Sequence, residues 1–390
     1  EDVEGFPTSD CPEALPDLSR HSSMVAAVLR ARPELYQRLR PLATTAGVSL
    51  GRCIKPGIDN KGHPMIKTVG LIAGDAECYE LFRDLFEEVL RKMHSLAPDA
   101  PLPQVCPRSE LEDCERVRKE AFRLGPLVAR SVLSVTLQAR RNLAVGRWPS
   151  AMDKAERRNV EELLVNALGT LQDEASGEYF PLMGSPSFPS KPAGMSASDA
   201  RRLEEVSFLM RAPDAALVLA SGSGRNWPDG RGVFASPSNR FAAWVNEEDH
   251  LCLWSRRDDS DFASALGLLL EADKALEQAL KDAGHPYAWS DHHGFLTSDP
   301  SLLGTAMRAR VKARLPLLCG QDGWKRMCSR LGLCVAGEPG GDVWELFCAP
   351  SSARESEVGQ VVLLLKGLHS VLDCEHRLER GEVFDIHALA

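Results

Sequence analysis

The sequence WVNEEDH at residues 244–250 sets two adjacent carboxylates, Glu247 and Glu248, directly after the apolar run 241–245. That run is typical of a β-strand, so the carboxylates are expected at a strand end. A carboxylate accepts two parallel N–H bonds from a planar guanidinium and also acts as a base. The motif therefore favours a guanidinium-binding site, although on chemistry alone a solvated loop of charged residues is the commoner outcome.

Composition argues against several other classes of protein. The 390 residues carry a formal net charge of -9 and no long block of Lys and Arg, which argues against nucleic-acid binding. Apolar runs such as 361–365 are far shorter than the roughly 20 residues of a membrane-spanning helix. The 11 cysteines are scattered without zinc-like spacing, so reduced and mostly buried thiols in a protein that is not secreted are expected.

Hydrophobic periodicity predicts a helical first part and a mixed second part. Helices are expected at 23–32, 77–94, 153–171, 261–283 and 355–380. Strand-like runs occupy 216–220, 241–245, 251–254 and 343–347. Three prolines within 97–103 cannot continue a helix and predict a linker. Strands flanked by long helices, without regular alternation, favour an α+β fold.

Four segments occur in the order and approximate spacing of the phosphagen (guanidino) kinases, and the chain most resembles the creatine kinases, in particular their mitochondrial form. The segments are GHPMIKTVG at 62–70, NWPDGRG at 226–232, NEEDH at 246–250 and LGTAMRA at 303–309. The resemblance covers nearly the whole chain. It implies a small all-helical N-terminal domain at 1–97, a linker at 98–115, and a domain at 116–390 built on an antiparallel sheet flanked by helices.

The resemblance also implies roles on the guanidino side of a kinase site. Glu248 matches the catalytic carboxylate and Glu247 its supporting neighbour. Ile54 and Ile58 resemble the residues that enclose the methyl group of creatine, and His63 is expected beside the substrate. Asp299 stands where the family has a reactive cysteine. Its charge could mimic a thiolate, but its size and reach differ.

The nucleotide side departs from the family pattern. The positions at which the family contacts the nucleotide with arginines or a histidine hold neutral side chains here: Thr136, Gln138, Ser207 and Cys252. Of the family's arginines in these motifs, Arg141 and Arg308 are retained. Three further cations stand where the family has two glycines and a histidine: Arg140, Arg310 and Lys312. They are expected as surface charges. Whether they compensate in part for the missing phosphate-binding arginines is left open. The adjacent His292 and His293 lack a third ligand at a sensible spacing, so no metal site is expected.

Two functions are compatible with this pattern. A pseudoenzyme with a binding or assembly role is favoured, because the missing groups are those that stabilise developing negative charge. The alternative is an active or weakly active ATP:guanidino (creatine) phosphotransferase that uses Mg-ATP or Mg-ADP. A homodimer is expected, with a guanidino compound such as creatine as a ligand or an unidentified protein as a partner. The first residue, Glu1, is not methionine, which fits a removed presequence, and the mitochondrial intermembrane space or the cytoplasm is expected.

Overall fold

A computed structural model describes residues 2–66, 68–97, 100–349, 355–384 and 386. Its first part is helical. The helices there are α1 (Met24–Ala31), α2 (Pro33–Leu39), α3 (Leu50–Asp59), α4 (Cys78–Leu81) and α5 (Arg83–Met93). Ser23 and Ser49 begin α1 and α3 by accepting backbone amides of the first turn. The apolar faces of these helices form one buried cluster, to which the more distant Trp148 also contributes.

The second part begins with helices and continues as a sheet with helices packed on it. Its helices are α6 (Cys114–Leu124), α7 (Pro126–Ser131), α8 (Lys154–Leu168), α9 (Ala197–Glu205), α10 (Ala216–Ser221), α11 (Phe262–Asp282), α12 (Trp324–Arg330) and α13 (Glu357–Glu379). A capping box, in which Asp153 and Glu156 satisfy each other's backbone amides, starts α8.

Eight strands of the described residues form one antiparallel sheet, and two more form a small hairpin. The strands are β1 (Val132–Arg141), β2 (Glu178–Pro181), β3 (Gly232–Ala235), β4 (Phe241–Val245), β5 (Leu251–Arg257), β6 (Trp289–Ser290), β7 (Gly294–Phe295), β8 (Met307–Arg314), β9 (Leu333–Ala336) and β10 (Val343–Cys348). The order across the sheet is β2-β3-β4-β5-β1-β8-β10-β9, and β6 pairs with β7.

The two faces of β1 have different surroundings. Val135, Leu137 and Ala139 are buried in the main core, and α11 packs against β1 and β5. Because successive side chains of a strand point to opposite faces, Thr136, Gln138 and Arg140 project from the other face. This second face is the one that carries the site described below.

The fold class predicted from the sequence is confirmed, and most predicted helices agree with the structure to within three residues at each end. The helix predicted at 77–94 is divided into α4 and α5 at Phe82. The run 216–220 was predicted as a strand but forms α10. Its Ala and Leu residues favour a helix, and Gly222, with φ of +85°, ends that helix in a left-handed cap.

Part of the predicted linker, residues 98 and 99, lies outside the described residues, and residues 100–110 contain neither helix nor strand. The domain boundaries at 97 and 115 stay a prediction. None of the described helices combines the length and hydropathy needed to cross a membrane.

Candidate functional site

A cavity of about 610 Å³, called here the central cavity, lies between the helical first part and the sheet. The helical part lines it with residues 68–72 and 93–95. The sheet part contributes Glu248, Asp299 and Arg308, together with several serines and a few apolar residues such as Leu217 and Val218. A concave apolar pocket with a few convergent charged groups is the usual form of a ligand site, so the central cavity is the candidate functional site.

A tight turn between β4 and β5 fixes the acidic residues at the cavity. Asn246 has a left-handed backbone, with φ of +59°, which asparagine tolerates better than most residues. Its Nδ2 donates to the carbonyl oxygens of Arg157 and Gly230 at 2.9 and 2.8 Å. Its backbone amide donates to the carbonyl of His250 at 2.8 Å. The turn places three acidic side chains side by side, called here the carboxylate clamp: Glu247, Glu248 and Asp249.

His250 belongs to the framework of this turn. Its Nδ1 accepts the backbone amide of Leu143 at 3.1 Å, and burial lowers the pKa of the imidazole to about 4. The ring is therefore neutral at physiological pH, and its role here is structural.

Glu248 is the clamp residue that faces the central cavity. Burial raises the pKa of its carboxyl group to about 7; Arg140 opposes that rise, while Glu247 and Asp249 add to it. The side chain is 33% exposed, so the group exchanges protons with solvent. A carboxyl group with this pKa lies in the range suited to general acid–base catalysis.

The carboxylate clamp already holds a guanidinium from its own chain. Nη1 of Arg140 donates to Oε2 of Glu247 at 3.0 Å and to Oδ2 of Asp249 at 3.2 Å. Its Nη2 lies 4.0 Å from Oε1 of Glu248. Burial acts to lower the pKa of Arg140, but the surrounding carboxylates raise it well above its ordinary value. The expectation of a surface charge is wrong for Arg140, because the alternation of β1 directs its side chain into the clamp.

Strand register brings predicted nucleotide positions together on one face of the sheet. Directly opposed residues across β1 include Thr136 and Arg310, Gln138 and Arg308, and Arg140 and Cys252. Nε2 of Gln138 donates to Sγ of Cys252 at 2.9 Å. Burial raises the pKa of this thiol to about 12, so it carries no charge at neutral pH. Gln138 and Cys252 are therefore neutral at positions where the family resemblance implies arginines.

Arg308, which was predicted to bind nucleotide, lines the central cavity. Within the described part of the chain, no hydrogen bond or ion pair satisfies its guanidinium. Burial lowers its pKa, Asp299 opposes that effect, and the like charges of Arg140 and Arg310 add to it. A partly buried cation beside other cations favours an anionic ligand.

The other two cations are less specific. Nη1 of Arg310 donates to Oε2 of Glu345 at 3.3 Å, and the Arg310 side chain is 28% exposed. Lys312 is exposed, as expected. Arg310 is thus available beside Thr136, while Lys312 lies further along β8.

Arg141 does not face the nucleotide positions, which corrects its predicted role. Its side chain lies on the core face of β1, where Nε donates to Oδ1 of Asp273 at 3.0 Å and the guanidinium covers the ring of Phe295 at 3.5 Å. Its fractional exposure is 2%. Neighbouring residues of a strand point to opposite faces, so Arg140 and Arg141 cannot both reach the cavity.

The three residues predicted to bind the guanidino substrate lie outside the lining of the central cavity. Ile54 and Ile58 are one turn apart on α3, and both are buried in the helical core. His63 is exposed, and its Nδ1 accepts the backbone amide of Met65 at 3.2 Å. The helical part reaches the cavity instead with residues 68–72, of which only 68–70 belong to the GHPMIKTVG segment.

Asp299 lines the cavity, but its carboxylate is partly used in a local turn. Oδ1 accepts the backbone amide of Ser301 at 2.9 Å, and Oδ2 accepts the hydroxyl of Ser301 at 2.8 Å. Ser207, expected beside the adenine, is exposed with φ of +62° and lies outside the cavity lining. Asp299 therefore keeps its carboxylate at the cavity, where its charge adds to the raised pKa of Glu248, whereas Ser207 does not line the cavity.

The donor set differs from the one that the resemblance implies for Mg-ATP. Gln138 and Cys252 are neutral, and two clamp carboxylates are already bonded to Arg140. Among the described residues, no group of three His, Cys, Asp or Glu side chains is placed to hold a metal ion.

Comparison with known proteins agrees with the motifs. Residues 19–91 match the family model "ATP:guanido phosphotransferase, N-terminal domain", and residues 159–343 match its "C-terminal catalytic domain". The chain is 35% identical over 378 residues to creatine kinase M-type of Gallus gallus, which covers 96% of this chain and 94% of the relative. Creatine kinase M-type of Oryctolagus cuniculus is 34% identical over the same coverage.

Solved structures give the same result. Lombricine kinase superimposes with a TM-score of 0.82 at 30% identity, covering 95% of this chain and 97% of that one. The duplicated taurocyamine kinase of Schistosoma mansoni superimposes with a TM-score of 0.76 at 25% identity, covering 93% of this chain and 48% of that chain. Motifs, fold and similarity together show that the chain belongs to the ATP:guanido phosphotransferase, or phosphagen kinase, family.

Proposed function

We propose that this protein is a phosphagen kinase homologue that has lost phosphoryl transfer and acts by binding or assembly. The observation that carries the proposal is the contact between Gln138 and Cys252, two neutral side chains at positions where the resemblance implies arginines. A hydrogen bond to a charged group contributes about 1.5 to 3 kcal/mol. Missing several such bonds to one tetra-anionic ligand removes most of the affinity for a nucleotide.

Calorimetric titration with Mg-ADP, with and without creatine and nitrate, tests the proposal. We expect no resolvable heat at millimolar nucleotide and a melting temperature that stays constant. A ligand at 100 times its dissociation constant stabilises a protein by about 2.7 kcal/mol, which a thermal melt detects easily. A rise of several degrees with Mg-ADP, or phosphocreatine formation in a coupled assay, overturns the proposal.

The alternative, an active or weakly active ATP:guanidino phosphotransferase, is favoured by a different observation. Arg310 stands directly opposite Thr136, and Arg140 directly opposite Cys252. At both pairs the resemblance implies an arginine on one strand and a glycine on the other. Here the arginine is on the other strand of the pair, so a cation remains on the same face. A rearranged cradle for phosphates follows if both guanidinium groups reach the ligand.

Paired exchange variants separate the two functions. Thr136→Arg with Arg310→Gly, and Cys252→Arg with Arg140→Gly, return each arginine to the strand implied by the family. Under the binding proposal, the two exchanges together create Mg-ADP affinity that the parent protein lacks. Under the alternative, the parent already binds Mg-ADP, and Arg310→Ala alone weakens that binding.

We further propose that the protein is a homodimer located in the mitochondrial intermembrane space or the cytoplasm. The resemblance supports a dimer, because the family's dimer contacts lie around the helical part and residues 62–70, which this chain keeps. The aromatic anchor used by octameric relatives falls at His285, and loss of such an anchor commonly costs about 2 kcal/mol or more. Light scattering should give twice the chain mass of 42.7 kDa. A much larger particle contradicts the proposal.

A further inference from the structure

The contacts of Arg140 show what occupies the place predicted for a guanidino ligand. Glu247 and Glu248 were predicted to grip a planar guanidinium. Arg140 of β1 instead bonds to Glu247 and to the neighbouring Asp249, and its Nη2 lies 4.0 Å from Oε1 of Glu248. The bonds to Glu247 and Asp249, at 3.0 and 3.2 Å, lie within ordinary hydrogen-bond range. The residues are 107 and 109 positions apart in the chain, so only the fold brings them together.

The clamp is fixed in place before any ligand arrives. Oδ1 of Asp249 accepts Nδ2 of Asn142 at 2.6 Å and the backbone amide of Ser298 at 2.7 Å. Oε2 of Glu247 accepts the backbone amide of Glu248 at 2.9 Å. Arg140 adds a second donor to Oε2 of Glu247 and is the donor to Oδ2 of Asp249.

Burial makes this internal pair strong. The side chains of Asp249, Arg140 and Glu247 are 1%, 14% and 20% exposed, so water competes poorly for their bonds. A free guanidino compound would have to displace Arg140 and leave a buried cation without its partners. A tethered group also has a high effective concentration, since it never diffuses away.

We propose that Arg140 is a tethered guanidinium that occupies the carboxylate clamp and determines the ligand specificity of the central cavity. It excludes free guanidino compounds and leaves the unpaired Arg308 as the recognition group for an anionic ligand. This inference rests on the proposed loss of phosphoryl transfer and gives that loss a second structural cause. Glu248 keeps its carboxyl group towards the cavity, but its two neighbours are no longer available to share a guanidinium.

Chemical rescue with methylguanidinium tests the proposal without any nucleotide. The full chain carrying Arg140→Ala should melt at a lower temperature than the parent. Millimolar methylguanidinium chloride should restore part of that loss, with binding at least tenfold tighter than to the parent. Sodium chloride at equal ionic strength controls for screening, and Arg140→Lys should show weaker rescue because it keeps the charge but not the planar fork.

Arg310→Ala is the matched control variant. It removes a cation from the same face of the sheet but leaves the clamp filled, so methylguanidinium should not stabilise it. Equal responses of Arg140→Ala, Arg310→Ala and the parent overturn the proposal. If Arg140→Ala does not fold, titration of the parent protein still tests the proposal. Saturable binding of methylguanidinium or creatine to the parent would contradict a filled clamp. Mg-ADP is absent from these measurements, so their failure is distinguishable from failure of the proposed function.

Discussion

The two faces of β1 use neighbouring arginines for different purposes. Arg141 points into the core, is 2% exposed and forms a multiply bonded ion pair with Asp273. Arg140 lies on the opposite face of β1, keeps 14% exposure and shares its Nη1 between two clamp carboxylates. The ion pair of Arg141 with Asp273 is enclosed in the core. The ion pairs of Arg140 adjoin Glu248, which lines the central cavity. Two consecutive residues of one strand lie on opposite faces of the sheet. One of these arginines is therefore structural, and the other lies beside the functional site.

The strongest test of this comparison is Arg141→Met. Breaking a buried ion pair by removing one partner leaves an uncompensated charge, here Asp273, at a cost of about 3 to 5 kcal/mol. Urea denaturation measures the change in the free energy of unfolding. The double variant Arg141→Met with Asp273→Leu should recover most of the loss, since replacing both charges by apolar groups is often neutral. A single-variant loss below about 1 kcal/mol would remove the distinction between the faces.

Arg140→Met should have a smaller effect on stability. The side chain loses charge-assisted hydrogen bonds, but its clamp partners retain other donors, so we expect about 1 to 3 kcal/mol. The same urea titration gives the value. If Arg140→Met costs more than Arg141→Met, the cavity face is the more rigid of the two and the comparison is reversed.

Glu248→Gln should change the pH dependence of stability. The folded pKa, about 7, lies above the ordinary value of 4.5, so ionisation of Glu248 opposes folding. The opposition is absent below the ordinary pKa and complete above the folded one, and Glu248→Gln removes it. Allowing for solvent screening, we expect a gain of about 1 to 2 kcal/mol at high pH. Melting curves near pH 4 should coincide, and coincidence across the whole range contradicts the expectation.

Arg310→Ala should have the smallest effect. Its ion pair with Glu345 is partly exposed on both sides, at 28% and 25%, and such pairs contribute about 0 to 1 kcal/mol. A buried Nε without a partner adds nothing that the variant would lose. A loss comparable to that of Arg140→Met, measured by the same titration, would place Arg310 in a tighter network than its contacts indicate.

Parts of the candidate site were within reach of the sequence, and parts were not. The clamp was predicted because adjacent acidic residues follow an apolar strand. The place of Arg140 was missed, although its parity with Thr136 and Gln138 was a usable signal once a strand was assumed. β1 and β8 were not predicted as strands, although both alternate apolar and polar residues. Arg141 was predicted to bind nucleotide from its position in the family motif. That position does not show which face of β1 carries the side chain.

The sequence by itself determined the family, the fold class and the neutral residues at the nucleotide positions, because each depends on local pattern or residue identity. The tertiary structure alone decided the partner of each charge. Arg140 meets Glu247 across 107 residues, and Arg141 meets Asp273 across 132. The physical reason is that hydrogen bonds and ion pairs depend on distances of a few ångströms, which strand register and helix packing set and sequence spacing does not.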